Sequence, residues 1–303
     1  MKLGIIGGAG LVGSTTAFLA GIQNLVSEIK LVDLNRKMQM SHTMDMGQAM
    51  LEYSDTNISA GDYADLEECD IILLSASLPE RNVQNRNEYL KGNLSIVESI
   101  CTELQKLSNE KILIMATNPI DVFNYIAWKI LKWDRSKFIG FCYNDTIRMK
   151  WALSKELGIN YQDIEAICIG EHGEGQVPLY QNARHLGKPL DLGGDKIESA
   201  KSQISNWFKD YQSLESGRTS GWTSAVGLTE VIKRITGKEK TPISCSAVLN
   251  GEYGLHDLSI GTPVELGEQG IVRVIEENLG KEDENRYRSS AEKIKQLINS
   301  VGY

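Results

Sequence analysis

The chain has 303 residues, of which 41% are hydrophobic and 24% are charged, and its formal net charge is -8 at pH 7. This length and apolar content allow two domains or one large α/β unit with a substantial core. The negative charge argues against a nucleic acid or an anionic membrane as partner, because both favour clustered Lys and Arg. We therefore expect any basic chemistry to be confined to a pocket.

Four apolar runs in the first half lack the alternation of a half-exposed strand; they lie at residues 3–6, 29–32, 71–74 and 112–115. Such runs are typical of strands covered on both faces. Helical patterns near residues 12–22, 90–107 and 122–131 separate them, which predicts β-α-β-α order around a parallel sheet. We predict a doubly wound nucleotide-binding domain over residues 1–142.

The pattern changes at about residue 143. Helices are predicted near residues 146–157, 196–211 and 223–235, and a β-rich run lies at 164–169. Strands near residues 242–249 and 259–266 follow, separated by turn residues, and an amphipathic helix near residues 284–299 closes the chain. We predict a second, α+β domain over residues 143–303.

The start of the chain, MKLGIIGG, places the first strand almost at Met1, so we expect no cleavable signal segment. No apolar run approaches the roughly 18 residues that a bilayer crossing needs. The five cysteines are scattered without a C-x-x-C pair, which favours reduced thiols over a metal or redox site. We expect a cytoplasmic protein without a bound metal.

A glycine-rich turn follows the first predicted strand and opens the first helix. Gly8, Gly10 and Gly13 form G-x-G-x-x-G, which indicates dinucleotide binding in this strand–turn–helix context. We expect Gly8 to allow the tight turn, Gly10 to let a pyrophosphate approach the backbone, and Gly13 to let helix and sheet pack closely. The free N–H groups at the helix start would hold the phosphates.

An aspartate at the end of the second predicted strand refines the choice of nucleotide. Asp33 lies 20 residues after Gly13, where a carboxylate can accept hydrogen bonds from the ribose hydroxyls of the adenosine. It would repel a 2′-phosphate. NAD is therefore favoured over NADP, although Arg36 and Lys37 nearby keep the second choice open.

Five segments carry a resemblance: GGAGLVGSTTA near the start, TNPID at 117–121, DTIR at 145–148, GEHGEGQVP at 170–178 and WTSAVGL at 222–228. Through them the chain resembles the lactate/malate dehydrogenase family over nearly its whole length. GEHG with D-x-x-R upstream is specific, whereas the glycine motif alone is not. The resemblance implies a Rossmann-type NAD domain, oxidation of a small L-2-hydroxy acid, and a homodimer or homotetramer.

Three polar residues suit this reaction chemically. His172 has the intrinsic pKa of about 6.5 that suits a base for the hydroxyl proton, and it becomes the acid in reverse. Asp145 would fix the ring's tautomer and stabilise the imidazolium. Arg148, three residues further along a helix, would clamp the substrate carboxylate. Each alone has an ordinary alternative, a loop histidine or a surface ion pair, but the ordered set favours catalysis.

The resemblance implies roles for three further residues. Arg86 would polarise the substrate's carbonyl oxygen from a mobile loop that closes over the site. Asn118 would contact the nicotinamide ribose and the substrate, with a cis peptide before Pro119. Thr223 would line the pocket beside the substrate's side chain.

The predicted loop departs from the family pattern. Ser77 replaces a usual glycine, Asn82-Val83 replaces Pro-Gly, and the substrate-selecting position, six before Arg86, is Glu80. Facing the pocket, Glu80 would repel a second carboxylate by about 4 kcal/mol at about 4 Å and an effective dielectric of about 20. Facing inward instead, Arg81 would bind a dicarboxylate. Malate is slightly favoured, with lactate or a bulkier 2-oxo acid as alternatives.

Two functions from other classes compete with this assignment. A non-catalytic NAD-binding protein would not need Arg86, Asp145, Arg148 and His172. An NAD-dependent glycosidase would use a metal ion held by Cys and His, and Cys168 lies close to His172 in the sequence. His172 already fits the dehydrogenase motif, so we favour the dehydrogenase.

Overall fold

The computed structural model describes residues 1–78, 86–216 and 220–303, without the side chains of residues 86–89 and Phe208. The strands in these ranges are β1 Lys2–Ile6, β2 Glu28–Val32, β3 Asn57–Ala60, β4 Ile71–Leu74, β5 Ile112–Met115, β6 Phe138–Gly140, β7 Ile164–Glu165, β8 Cys168–Gly170, β9 Gln176–Pro178, β10 Arg184–His185, β11 Lys188–Pro189, β12 Ile243–Asn250, β13 His256–Gly267 and β14 Gly270–Val274. The helices are α1 Leu11–Ile22, α2 Arg36–Met50, α3 Arg86–Leu104, α4 Ile120–Leu131, α5 Tyr143–Leu157, α6 Gly194–Ser213, α7 Gly221–Ile235 and α8 Lys281–Ser300.

Within the described ranges, an 11-stranded sheet has the order β3-β2-β1-β4-β5-β6-β12-β13-β8-β9, with β14 paired to β13. Pairing is parallel from β3 to β6 and antiparallel from β6 onward. The order of the parallel part is that of doubly wound dinucleotide folds, in which the ligand site lies at the carboxyl ends of the strands. The predicted fold class, a doubly wound parallel sheet followed by an α+β unit, is confirmed.

The strands at the centre of the sheet are apolar because helices cover them. All four residues of β4 and of β5 are buried. Helix α3 packs on α4, and α1 packs on α7 from the second half of the chain. In the described part of the chain, none of the helices combines the length and the apolar character that a membrane crossing requires.

The predicted β-rich run at residues 164–169 contains two strands, β7 and β8. Strand β7 pairs with β10 in a small three-stranded sheet, whereas β8 pairs with β9 and β13 in the large sheet. Residues 166 and 167 carry the chain from one sheet to the other. An apolar run in the sequence gives no sign of this change of partner strand, because the apolar residues of both β7 and β8 are buried.

Candidate active site

The glycine turn between β1 and α1 has its left-handed residue at Gly7. Gly7 has φ of +89°, and a Cβ there would lie 2.7 Å from the backbone nitrogen of Ala76. A Cβ on Gly8 would instead lie 2.9 Å from the Cβ of Leu31. Only glycine adopts positive φ at low cost. The tight turn predicted for Gly8 therefore centres on Gly7, and the close packing at Gly8 is against β2.

The start of α1 suits an anion. Gly10 is the N-cap, no side chain in the described ranges caps it, and the first turn has no acidic residue. A Cβ on Gly13 would lie 2.4 Å from the carbonyl oxygen of Gly7, so helix and turn approach closely. Backbone N–H groups at an uncapped helix start, together with the positive end of the helix dipole, fit a pyrophosphate.

Asp33 lies beside this turn, just after β2. Its Oδ2 accepts a hydrogen bond from the Ala9 N–H at 2.9 Å, and its Oδ1 accepts one from the Asn35 N–H at 2.8 Å. Each carboxylate oxygen has a further lone pair for a ribose hydroxyl. The Arg36 guanidinium donates to the Gly61 carbonyl oxygen at 2.6 Å, a contact that directs it towards the backbone after β3. This arrangement fits NAD.

Asn118 follows β5 at the same edge of the sheet, and the predicted cis peptide between Asn118 and Pro119 is confirmed. The fully buried Asn93 of α3 donates to the Asn118 carbonyl oxygen at 3.1 Å and accepts from the Leu78 N–H at 2.8 Å. Asn93 thus ties the chain before residues 79–85 to the cis peptide. It lies outside the quoted motifs, so no pattern in the sequence marked it.

Asp145 contacts both the predicted catalytic base, His172, and the predicted substrate-binding residue, Arg148. Helix α5 begins directly after β6 and carries Asp145 in its first turn and Arg148 one turn later, while His172 follows β8. His172 Nδ1 lies 2.7 Å from Asp145 Oδ2, and Arg148 Nη1 donates to Asp145 Oδ1 at 3.2 Å. An ionised carboxylate only accepts, so Nδ1 carries the proton of its bond to Asp145. The other ring nitrogen, Nε2, is then the one that can exchange a proton with substrate.

This cluster is shielded from water, which strengthens its electrostatics. The side chains of Asp145, Arg148 and His172 are 6%, 12% and 14% exposed. Burial alone would lower the pKa of His172, but the charge and hydrogen bond of Asp145 outweigh it and raise that pKa above its ordinary value. Burial lowers the pKa of Arg148, and Asp145 opposes that shift.

The backbone of His172 is held by a residue without a predicted role, Asp121. The His172 N–H donates to Asp121 Oδ2 at 2.7 Å, and the Ser246 hydroxyl donates to Asp121 Oδ1 at 2.5 Å. Burial raises the pKa of Asp121 to about 6, against the opposing effect of these two bonds. Asp121 is the last residue of TNPID, so the motif contained it, although 51 positions separate it from His172.

The residues next to His172 hold its loop against α8. The Glu171 N–H donates to the Ser290 hydroxyl oxygen at 2.6 Å. Glu171 Oε2 accepts from the Gly175 N–H at 2.9 Å and lies 2.9 Å from Lys293 Nζ. Together with the bond from Asp121, these contacts hold the backbone N–H groups of both Glu171 and His172.

Of four further predicted site residues, only Thr223 has a side chain that the structure describes. Thr223, in the first turn of α7, lines a cavity of about 320 Å³ that Arg148 also lines. Arg86 is the first residue of α3, but its side chain lies outside the described part of the structure. Glu80 and Arg81 lie outside the described residues altogether.

All five cysteines are free and buried. Among the described residues, no group of three or more His, Cys, Asp and Glu side chains is arranged to hold a metal ion. Cys168 Sγ contacts the Ile169 carbonyl oxygen and Gln176 Oε1, each at 3.8 Å. His172 is paired with Asp145 instead, which is the arrangement expected for the dehydrogenase motif.

Comparison with known proteins covers both halves of the chain. Residues 1–140 match the family model described as lactate/malate dehydrogenase, NAD binding domain, and residues 144–302 match lactate/malate dehydrogenase, alpha/beta C-terminal domain. A malate dehydrogenase from Pelodictyon phaeoclathratiforme is 31% identical, with 100% of each chain covered. An L-lactate dehydrogenase from Acetivibrio thermocellus is 30% identical, covering 97% of this chain and 95% of that protein. The crystal structure of Cryptosporidium parvum malate dehydrogenase superposes with a TM-score of 0.93 at 25% identity, covering 99% of this chain and 98% of that one.

Proposed function

We propose roles for the site residues on the premise that this chain belongs to the lactate/malate dehydrogenase family. As a member it is an NAD-dependent oxidoreductase that interconverts a hydroxy acid and an oxo acid. The observation that carries the assignment of roles is the 2.7 Å contact between His172 Nδ1 and Asp145 Oδ2 in a nearly buried cluster. A buried, oriented imidazole beside a carboxylate is the arrangement that proton transfer to and from a hydroxyl requires.

NAD, when bound, supplies the nicotinamide ring that accepts or donates hydride. His172 Nε2 takes the hydroxyl proton in the oxidation direction and returns it to the carbonyl oxygen in reduction. Asp145 holds the Nδ1–H and stabilises the imidazolium once it forms. Because Asp121 fixes the backbone of His172, the ring needs no rearrangement when the proton arrives.

Arg148 is proposed to hold the substrate carboxylate through its planar guanidinium, since it lines the same cavity as Thr223 and lies next to the proton-transferring pair. Arg86 is proposed to polarise the carbonyl oxygen, and Asn118 to contact the nicotinamide ribose and the substrate. Glu80 and Arg81 are the proposed selectors between one and two substrate carboxylates.

The cofactor is proposed to lie across the carboxyl edge of the parallel sheet. Gly8, Gly10 and Gly13, with Gly7, would give its pyrophosphate access to the start of α1, and Asp33 would accept from the adenosine ribose. We place the boundary between the cofactor domain and the substrate domain at residues 142 and 143. The homodimer or homotetramer and the cytoplasmic location remain predictions, which light scattering and cell fractionation would test.

The relatives include both an L-lactate dehydrogenase and a malate dehydrogenase, so their names do not select the substrate of this enzyme. At the level of sequence malate is slightly favoured, because STTAFLA near the start resembles the lactate dehydrogenase-like malate enzymes. Lactate and a bulkier 2-oxo acid are the alternatives. The size and lining of the cavity beside Arg148 affect which of these acids fits.

The assignment of His172 is tested by its replacement with asparagine. We expect His172→Asn to lower turnover by about 10²- to 10⁴-fold, the usual contribution of a general acid or base, with NADH affinity nearly unchanged. His185→Asn, on β10, is the matched control and should retain wild-type kinetics. Turnover by His172→Asn within a few-fold of wild type would overturn the assignment and favour an NAD-binding protein without this chemistry.

A further inference from the structure

The cavity beside Arg148 has a mainly apolar and aromatic wall. It has a volume of about 320 Å³ and lies where α5 meets α6, α7 and the short helical turn Tyr161–Asp163. Its described lining consists of Ile147, Arg148, Trp151, Tyr161, Ile204, Trp207 and Thr223. Of these residues Ile204 is buried in the core of the second half, whereas the three rings are only partly buried. Partly exposed aromatic surface beside a catalytic cluster is typical of a ligand pocket.

The rings of this wall are held in place before any ligand arrives. Trp207 stacks on Tyr211 with ring centroids 5.0 Å apart and an interplanar angle of 16°. The Arg148 guanidinium carbon lies 5.4 Å from the centre of the Trp207 ring, and Lys150 Nζ lies 4.4 Å from that of Tyr161. Cation–π and stacking contacts of this kind fix ring orientation. The cavity is therefore preformed rather than created by the substrate.

Size argues for a large occupant. A dry cavity of about 150 Å³ accommodates benzene, so a cavity of about 320 Å³ has room for a branched or aromatic side chain beside a carboxylate. The methyl group of pyruvate would leave most of this wall in contact with water. A large apolar side chain would remove that surface from water, which is the favourable term in pocket binding.

Charge argues against a dicarboxylate in the same place. Of the described residues that line the cavity, Arg148 is the single charged one, and its guanidinium is proposed to hold the carboxylate common to all 2-oxo acids. A second carboxylate would enter an aromatic wall without a cationic partner of its own among those lining residues. Desolvating a carboxylate without a partner is costly.

We propose that this enzyme reduces 2-oxo monocarboxylic acids with a large apolar side chain, branched or aromatic, and that the side chain occupies this cavity while the carboxylate lies on Arg148. This inference rests on the proposed roles of His172 and Arg148. In the reaction, hydride from NADH forms the new C–H bond at C2 and a proton from His172 goes to the carbonyl oxygen. The 2-oxo acid is reduced to the 2-hydroxy acid as NADH is oxidised to NAD⁺.

The test compares kcat/KM for NADH-dependent reduction of pyruvate, 4-methyl-2-oxopentanoate, phenylpyruvate and oxaloacetate by the full-length protein. We expect one of the two bulky acids to exceed both pyruvate and oxaloacetate by about tenfold or more, the discrimination that apolar pockets provide. A preference for pyruvate or for oxaloacetate, or a flat series, would overturn the inference and leave the proposed dehydrogenase chemistry intact. Absence of turnover with all four acids would overturn both.

Variants locate the preference in the cavity. Ile204→Phe places a ring in the cavity and should lower the ratio of kcat/KM for the preferred bulky acid to kcat/KM for pyruvate by about tenfold or more. Ile197→Phe makes the same change on the same helix outside the lining and should leave the ratio unchanged. If Ile204→Phe does not fold, Trp207→Ala should lower the same ratio by removing part of the wall. A preference that persists in every folded cavity variant would contradict the proposed location.

Discussion

His172 is positioned by side chains that act on different atoms of the residue. Asp145 acts on the ring through Nδ1, whereas Asp121 acts on the backbone N–H. The contact with Asp145 sets the tautomer and the pKa of the ring. The contact with Asp121 fixes the position of the backbone that carries the ring. Both carboxylates come from helix N-terminal turns, on α5 and α4, so each is fixed by regular structure rather than by a loop.

Replacing Asp121 separates its structural effect from its charge. Asp121→Ala leaves the His172 N–H and the Ser246 hydroxyl without their acceptor, at about 1–3 kcal/mol for each buried group. Asp121→Asn keeps an acceptor for His172. We expect kcat to fall substantially more in Asp121→Ala than in Asp121→Asn. Equal stability and equal kcat in Asp121→Ala and wild type would contradict the positioning role.

The pH dependence of stability gives Asp121 a second signature. Its pKa is raised to about 6 in the fold, so the folded protein holds this proton more tightly than the unfolded chain does. Its contribution to the free energy of unfolding is therefore lost as pH rises from about 4 to about 6. In urea titrations across this window, wild type should lose stability relative to Asp121→Asn as pH rises.

The site residues that could be predicted from the sequence are those whose function depends on the type of side chain at a fixed place in a motif. His172, Asp145 and Arg148 were marked by GEHG and D-x-x-R, and they meet in the fold. Gly7 is the first residue of GGAGLVGSTTA but had no predicted role, and Asn93 lies outside the motifs. One depends on a backbone angle and the other on contacts between distant segments. Residue type alone carries little information about either property.

At the level of elements, the end of β8 controls how the chain approaches His172. Gly170 has φ of +90°, and a Cβ there would lie 2.7 Å from the Gly175 carbonyl oxygen across the loop. We expect Gly170→Ala to destabilise the protein by about 2–4 kcal/mol through left-handed strain and a backbone clash, and to lower kcat as the loop shifts.

Gly187 provides the matched control. It also has positive φ, +75°, but a Cβ there meets no described atom within 4 Å. Gly187→Ala should therefore cost only the strain of about 1–2 kcal/mol, with kcat unchanged. Urea unfolding of both variants measures the difference, and equal losses would show that the approach to Gly175 is unimportant.

Elements with strong apolar periodicity were predictable, whereas polar or very short ones were not. The four central strands and the helices that cover them lie where their patterns predicted. Helix α2 has little apolar periodicity, with Gln39 and Met50 as its buried residues, so its bounds could not be predicted. Strands of two or three residues, such as β9 and β10, are too short to show a period.

At the scale of the whole molecule, the sheet crosses the boundary proposed at residues 142 and 143. Strand β6 pairs with β5 on one side and with β12 on the other, and α4 packs on β12 and β13. We therefore expect the two halves to unfold together. Amides of β5 and β12 should exchange hydrogen with the same free energy of opening. A difference of more than about 2 kcal/mol between them would contradict this coupling.

We propose that one imidazole, that of His172 with its pKa raised by Asp145, carries the proton in both directions. The pH dependence of kcat/KM in wild type and Asp145→Asn tests it most directly. Oxidation needs neutral His172 and should fall as pH drops through its pKa, whereas reduction needs the imidazolium and should fall as pH rises through the same value, which lies above the ordinary one. In Asp145→Asn the pH at which kcat/KM falls should be lower for both oxidation and reduction. Apparent pKa values that are unchanged in Asp145→Asn, or that differ between oxidation and reduction in wild type, would contradict this proposal.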